Sequence, residues 1–157
     1  MRSEGHASAI MTTTTTEWTT DEWATPWPLF ERLSRQYGPF TLDAAASAEN
    51  AKAPMFYTQE DDGLDLDWFG RVWVNPPYSD PRPWCIKALV ETLSGRANRV
   101  VMLLPAAVDT HWFHNWVQGH AMWYPLRGRP RFLGPDGQPS KGTPKAGNVV
   151  AIYEGLK

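Results

Sequence analysis

The chain has a single cysteine, Cys85, which excludes an internal disulfide and any multi-cysteine metal site. Packing inside a helix is the expected role of that thiol. Histidine is almost as scarce, and His6, His111, His114 and His120 lack supporting partners at ligand spacing, so no metal centre is expected. His111 and His114 are expected on the exposed side of a helix. No apolar run approaches the roughly 20 residues of a membrane-spanning helix, and the N-terminus carries no apolar block of the secretory kind. The expectation is a cytoplasmic protein with no membrane partner. An excess of positive charge is missing too. Lys and Arg number 15 against 17 Asp and Glu, a net charge of −2, so any nucleic-acid contact must come from a local patch.

What is present suits one folded unit. The 157 residues can bury a real core, and nine tryptophans supply unusual aromatic mass, some of it available to line a slot for a flat ring. Residues 1–16 are small and polar with a threonine run from Thr12 to Thr16, and are expected to be a disordered tail before a single domain over residues 17–157. Thr25 is placed to cap a helix with Pro26 at its first position, and Leu29, Phe30, Leu33 and Tyr37 follow at helical spacing up to Gly38. Phe40 to Ala45 reads as a short strand, Met55 to Tyr57 as another, and Glu60-Asp61-Asp62-Gly63 as a turn. Arg71-Val72-Trp73-Val74 is a β-rich run that must leave the sheet at Pro76 and Pro77. A second helix is expected to bury Ile86, Leu89, Val90 and Leu93. Val100 to Leu104 then has the unbroken apolar character of a strand covered on both faces. A third helix with Trp112, Phe113, Trp116 and Val117, started by Asp109 or Thr110, precedes two last strands at Ala121 to Tyr124 and Val149 to Tyr153. Strands alternating with helices in this way predict an α/β fold with a largely parallel sheet and ligands bound beyond the carboxyl ends of its strands.

Two segments fall at such ends: Asp43-Ala44-Ala45 and Asn75-Pro76-Pro77-Tyr78. The second has a specific chemical logic. An exocyclic amine such as adenine N6 is a poor nucleophile, because its lone pair is delocalised into the ring. Accepting hydrogen bonds from both of its N–H groups favours a more pyramidal, electron-rich nitrogen. The Asn75 side-chain carbonyl offers one acceptor and the Pro76 backbone carbonyl the other, held in place by the fixed φ of proline. Tyr78 adds a flat face on which a base taken out of a duplex can stack. Methyl transfer to that nitrogen is then a matter of positioning, with the surplus proton lost to water.

Several blocks in order resemble the phage-type, Dam-like DNA N6-adenine methyltransferases. They are Asp21 to Pro26, Phe40 to Ala45, Glu49-Asn50-Ala51-Lys52, Glu60 to Leu64, Val72 to Tyr78, and Leu103-Leu104-Pro105 followed by Trp112-Phe113. The resemblance spans roughly residues 20–155. It implies a compact, abbreviated Rossmann-like class I methyltransferase fold, mostly parallel with a C-terminal antiparallel hairpin, and S-adenosylmethionine as methyl donor. It also implies that Asn75, Pro76, Pro77 and Tyr78 hold the target amine and that Thr25-Pro26 holds the donor's methionine part. Asp43, with Ala44 and Ala45, would contact the donor after the first strand, with Asn50 a neighbour, and Asp61 or, preferably, Asp62 would bond its adenine amine. One departure is clear. The turn after Asp43 is Ala44-Ala45-Ala46-Ser47, without the glycines many methyltransferases have there, and the short span from Asp43 to Val72 leaves room for one helix or edge strand fewer. The phage association suggests shielding of phage DNA from restriction.

Residues 127–147 form a Pro/Gly-rich loop in which Arg127, Arg129, Arg131, Lys141 and Lys145 face only Asp136, an arrangement suited to phosphates. A chain of this length leaves no segment for a separate target-recognition domain, so relaxed sequence specificity is expected, from a monomer or weak homodimer. Two other readings stand beside DNA adenine. The same tetrapeptide suits methylation of protein glutamine or of guanine N2 in RNA, and a DNA-binding protein without catalysis would also retain the fold. A cytosine C5 enzyme is disfavoured, because Cys85 follows Trp84 rather than a proline.

Overall fold

The computed structural model describes residues 20–140 and 146–156; the expected tail over residues 1–16, and Lys141 and Lys145 of the basic loop, lie outside them. The strands are β1 (Leu42–Asp43), β2 (Met55–Phe56), β3 (Gly70–Val74), β4 (Ala97–Pro105), β5 (Met122–Pro125) and β6 (Asn148–Glu154). They form one sheet in the order β2-β1-β3-β4-β6-β5. β1 pairs in parallel with β2 and β3, and β3 with β4, whereas β6 lies antiparallel between β4 and β5. Five strands therefore share a direction and β6 alone runs against them, which is the expected parallel sheet closed by an antiparallel hairpin.

Helix α1 (Trp27–Tyr37) covers one face, while α2 (Arg82–Leu93) and α3 (His111–Trp116) cover the other. Alternation along β3, β4 and β6 builds both layers. Val72, Val74, Val100, Met102 and Leu104 pack with Cys85, Ala88, Phe113 and Val117; Trp73, Val101, Leu103, Val150 and Ile152 pack with Phe30, Leu33 and Tyr37. Such an unbroken apolar run is required of a strand with helices on both sides. The mixed α/β sheet is consistent with a Rossmann-like methyltransferase fold in abbreviated form. Between β1 and β3 there is a two-residue strand and a single 3-10 turn (Gly63–Asp65), and no α-helix.

Gly63 explains the closeness of that turn to the sheet. A Cβ there would sit 2.3 Å from the Ala44 carbonyl oxygen, so only glycine allows the backbone to press against the turn after β1. The Trp68 indole N–H donates to the Gly63 carbonyl at 2.8 Å and fixes the approach.

Two expectations are corrected. Thr25 does not cap α1: Pro26 occupies the cap position with no side-chain bond, Trp27 and Pro28 open the helix, and Thr25 is buried. The prolines set φ for the first turn without a capping hydroxyl, because its N–H groups lack intrahelical partners in any case. Nor does α2 bury the whole apolar face predicted for it: Leu89 packs against the core, but Val90 and Leu93 do not. Cys85, Ala88, Glu91 and Thr92 face inward, while Val90 and Leu93 are 48% and 55% exposed. Small residues bring the helix close to the sheet, Thr92 Oγ1 is satisfied by the Ala88 carbonyl at 2.8 Å, and Glu91 by cations from outside its own turn. In α3, Thr110 is the cap, its hydroxyl accepting from the Phe113 N–H at 3.3 Å, and His111 and His114 are exposed as expected. Cys85 is fully buried, and burial pushes its thiol up to about 12, the state of a packing residue rather than a nucleophile.

Candidate active site

The carboxyl ends of β1, β3 and β4 and the start of β6 lie along one edge of the sheet, because β6 is reversed. Asp43 and Trp73 are register partners, and the Ala44 N–H donates to the Trp73 carbonyl at 3.1 Å, so Asp43 and Asn75 terminate adjacent strands. Between them opens a small cleft lined by Trp23, Ala24, Thr25, Asp43, Ala45, Asn50, Lys52, Trp73 and Asn75.

Five of the residues singled out in the sequence (Thr25, Asp43, Ala45, Asn50 and Asn75) thus meet in one place. Ala44 is buried behind them, Pro26 begins α1, and Pro76, Pro77 and Tyr78 continue from Asn75 as the loop beyond β3. Asp61 and Asp62 do not line the cleft. The Asp61 carboxylate accepts from the Thr58 N–H and hydroxyl at 2.8 and 3.0 Å, which holds it below the ordinary carboxylate range, and Asp62 takes a left-handed backbone (φ 61°) ahead of Gly63.

Asp43 is 3% exposed and closes the loop after β1: its two oxygens accept from the Ala45 and Lys52 N–H groups at 3.3 and 2.9 Å. Burial raises its carboxyl from 3.8 to about 6, against the opposing pull of those N–H groups and the Lys52 charge. Lys52 donates to the Asn50 carbonyl at 3.0 Å and lies 4.3 Å over the Trp27 ring; burial lowers its ammonium while Asp43 acts the other way. The Asn50 side chain accepts from the Ser47 N–H at 2.8 Å, so it shapes this loop as well as lining the cleft. Thr25 Oγ1 is buried with no hydrogen-bond partner among the described residues.

The raised Asp43 value implies a pH signature. Between about 3.8 and 6 the native carboxyl holds a proton that the unfolded chain has released, so this group's contribution to stability declines as pH rises through that window and is constant above it. Relative to Asp43→Asn, the wild type is expected to lose about 2 kcal/mol between pH 4 and 7 in denaturant titrations. A pH-independent difference between the two would show that Asp43 ionises normally.

Asn75 is tied by its amide nitrogen, which donates to the Trp23 carbonyl at 3.2 Å and leaves Oδ1 as the acceptor on the other limb of a fixed amide. A second tie joins the same segments, since Asp21 accepts from the Ser79 N–H at 2.9 Å and its hydroxyl at 2.6 Å. The basic loop is fastened here as well. Phe132 is buried, stacks on Trp23 (ring centres 5.4 Å apart) and meets Tyr78 edge-on at 5.9 Å, and Leu133 exchanges backbone bonds with Ala24 at 2.8 and 2.9 Å. The basic loop is therefore pinned at its middle through Trp23, Ala24 and Tyr78, while Arg127, Arg129 and Arg131 are exposed. Sequence reasoning assigned no role to Asp21, Trp23, Lys52, Trp73, Phe132 or Asn148. Asn148 alone left a signal, as a polar residue heading an apolar strand.

The sheet with one reversed strand, and a cleft where its parallel strands end, fits the Rossmann-like methyltransferase class. A profile of the DNA N-6-adenine-methyltransferase (Dam) family matches residues 12–157, and the chain belongs to that family. It is 36% identical over 156 residues to the DNA N-6-adenine-methyltransferase of Escherichia phage T1, covering 87% of this chain and 64% of that protein. It is 40% identical over 95 residues to the DNA N-6-adenine-methyltransferase of Haemophilus phage HP1, covering 59% of this chain and 54% of that protein. The chain thus spans less than two thirds of either relative's length. A solved structure from Pyrococcus horikoshii, provisionally described as an RNA methyltransferase, is similar over 66% of this chain and 52% of that one at 13% identity and a TM-score of 0.40, too slight a likeness to add weight. Among the described residues no cluster of His, Cys, Asp and Glu is grouped to hold a metal, and no helix is long and apolar enough to cross a membrane.

Proposed function

We propose that the chain transfers a methyl group from S-adenosylmethionine to N6 of adenine in DNA. The observation that carries this reading is the orientation of Asn75: with its nitrogen committed to Trp23, its oxygen is a fixed acceptor at the cleft that Asp43 also lines. The two oxygens on Asn75 and Pro76 accept from both N–H groups of the amine, and the nitrogen lone pair is freed for attack. Tyr78, braced by Phe132, is the stacking face for a base drawn out of the duplex.

The residues of the cleft suit S-adenosylmethionine, which supplies an activated methyl on a sulfonium when bound. Asp43 is a buried carboxylate suited to hydroxyl or amine donors, Thr25 Oγ1 is a buried polar atom lacking a partner among the described residues, and Trp23 offers a flat apolar wall. No basic residue is needed for the surplus proton, which leaves to water.

Family membership favours DNA over protein or RNA as the acceptor, and so do the exposed Arg127, Arg129 and Arg131 of the loop whose Phe132 packs on Tyr78. The test is incubation of the purified chain with labelled S-adenosylmethionine and, separately, DNA, RNA and protein, followed by digestion and mass identification. N6-methyladenine from DNA is expected; label in RNA or protein alone would replace the proposal with another amino-methyltransferase. Neutralising the three arginines together is expected to weaken DNA binding and to flatten the slope of log affinity against log salt, by about 0.9 for each phosphate contact removed. An unchanged slope would remove the loop from the DNA interface.

A further inference from the structure

Asn148 begins β6 and is 1% exposed, an unusual setting for an asparagine in a strand. Both hydrogens of its Nδ2 are used: one bonds the Tyr78 hydroxyl oxygen, the other the Leu104 carbonyl at 3.2 Å. Its Oδ1 is buried with no partner among the described residues. An orphaned buried acceptor disfavours folding, and an apolar side chain would fill the position without that penalty. The amide therefore earns its place through its nitrogen. The Asn148 backbone carbonyl accepts from the Leu126 N–H at 2.8 Å, so the residue also stands where the basic loop leaves and rejoins the sheet.

Tyr78 needs such a support. It follows two prolines in a loop with no strand partner, and its ring packs edge-on against Phe132. A ring packed on one side and anchored at its hydroxyl tip has lost both of its side-chain rotations. We infer that Asn148 is a positioning residue for methyl transfer, holding the Tyr78 ring through its hydroxyl in the plane against which the target base stacks. The inference rests on the reading of the chain as a DNA adenine methyltransferase.

The experiment compares the full chain with Tyr78→Phe, Asn148→Ala and the double variant. Turnover is measured on duplex DNA, and emission on DNA carrying 2-aminopurine at the methylated adenine, a base that brightens when unstacked and dims against an aromatic ring. Tyr78→Phe is expected to lower kcat about tenfold, the worth of one hydrogen bond, with KM for S-adenosylmethionine unchanged and the 2-aminopurine emission altered. Asn148→Ala should match it, and the double variant should be no worse than either, as befits two groups acting through one bond. Tyr78→Phe preserves the ring, the core and the Asn148–Leu104 bond, so it remains informative if Asn148→Ala does not fold. Wild-type kcat and emission in Tyr78→Phe would overturn the inference, as would an Asn148→Ala variant that lowers only the melting temperature. A wild-type chain that methylates no adenine overturns the underlying function instead, and this inference with it.

Discussion

Asn75→Ala is expected to lower kcat for adenine N6 methylation by about a thousandfold, at the upper end of what loss of one preorganised hydrogen-bonding group in an active site produces. Its affinity for S-adenosylmethionine should change only a few-fold. The reason lies in when the lost bond matters. In the proposed reaction the hydrogen bond to Asn75 strengthens as the amine becomes pyramidal and its N–H groups more acidic, so truncation would remove transition-state stabilisation rather than uniform binding. The substitution also cuts the bond to the Trp23 carbonyl, which loosens the strap of residues 21–25. Asn75→Asp separates the two effects: it keeps an acceptor but cannot donate to Trp23, and it should fall between the wild type and Asn75→Ala. Single-turnover rates on methyl-free DNA are the measurement. Retention of more than about a tenth of wild-type turnover by Asn75→Ala would mean that chemistry occurs elsewhere.

The second large effect concerns stability. Glu91 is only 1% exposed yet charged: Oε1 accepts from the Trp68 N–H at 2.8 Å and Arg96 Nε at 2.9 Å, and Oε2 from the Arg96 guanidinium at 2.7 Å and the Lys87 ammonium at 3.1 Å. Burial alone would raise its carboxyl, but Arg96, the Trp68 N–H and Lys87 together hold it down to about 2. Glu91→Ala leaves Trp68 without an acceptor and Lys87 without its counter-charge, and is expected to destabilise the fold by about 3 kcal/mol, or about 10 °C in melting temperature. Arg96 reaches solvent, which keeps the loss from being larger. A depressed carboxyl stabilises fully above its unfolded value of 4.5, and that contribution disappears as pH falls from there through about 2. Glu91→Gln, which still accepts from Trp68, should lose less and should lack this acid sensitivity. Near-wild-type stability in Glu91→Ala would show that the cluster merely balances its desolvation. The damage should extend to the cleft, because Trp68 holds Gly63, and Gly63 lies against Ala44 behind Asp43.

Much of this protein was legible because its local signals agree with its global fold. The apolar run of β4, the prolines that end β3 at Asn75, the helix from Trp27 to Tyr37 and the acid at the end of β1 are one-dimensional patterns with one physical interpretation each. Fold class, strand ends and the gathering of Asp43 and Asn75 therefore followed from residue order. The buried side of α2 did not, because periodicity marks Val90 and Leu93 as core and cannot register that Arg96 and Lys87 neutralise Glu91. The part played by Thr25 went the same way: a threonine before a proline signals a cap, and only the packing of residues 21–25 against Asn75 moves it into a cleft.

Sequence by itself determined the sheet, its direction and the polar groups at the ends of its strands, since these depend on periodicity, turn residues and the donors and acceptors each residue carries. Tertiary structure decided which polar groups are held and by whom. Trp23 orients Asn75, Asn148 reaches Tyr78 across 70 residues, and Phe132 ties the basic loop to Trp23. Each of these is a contact between residues far apart in the chain, made only once the sheet has brought the ends of its strands together.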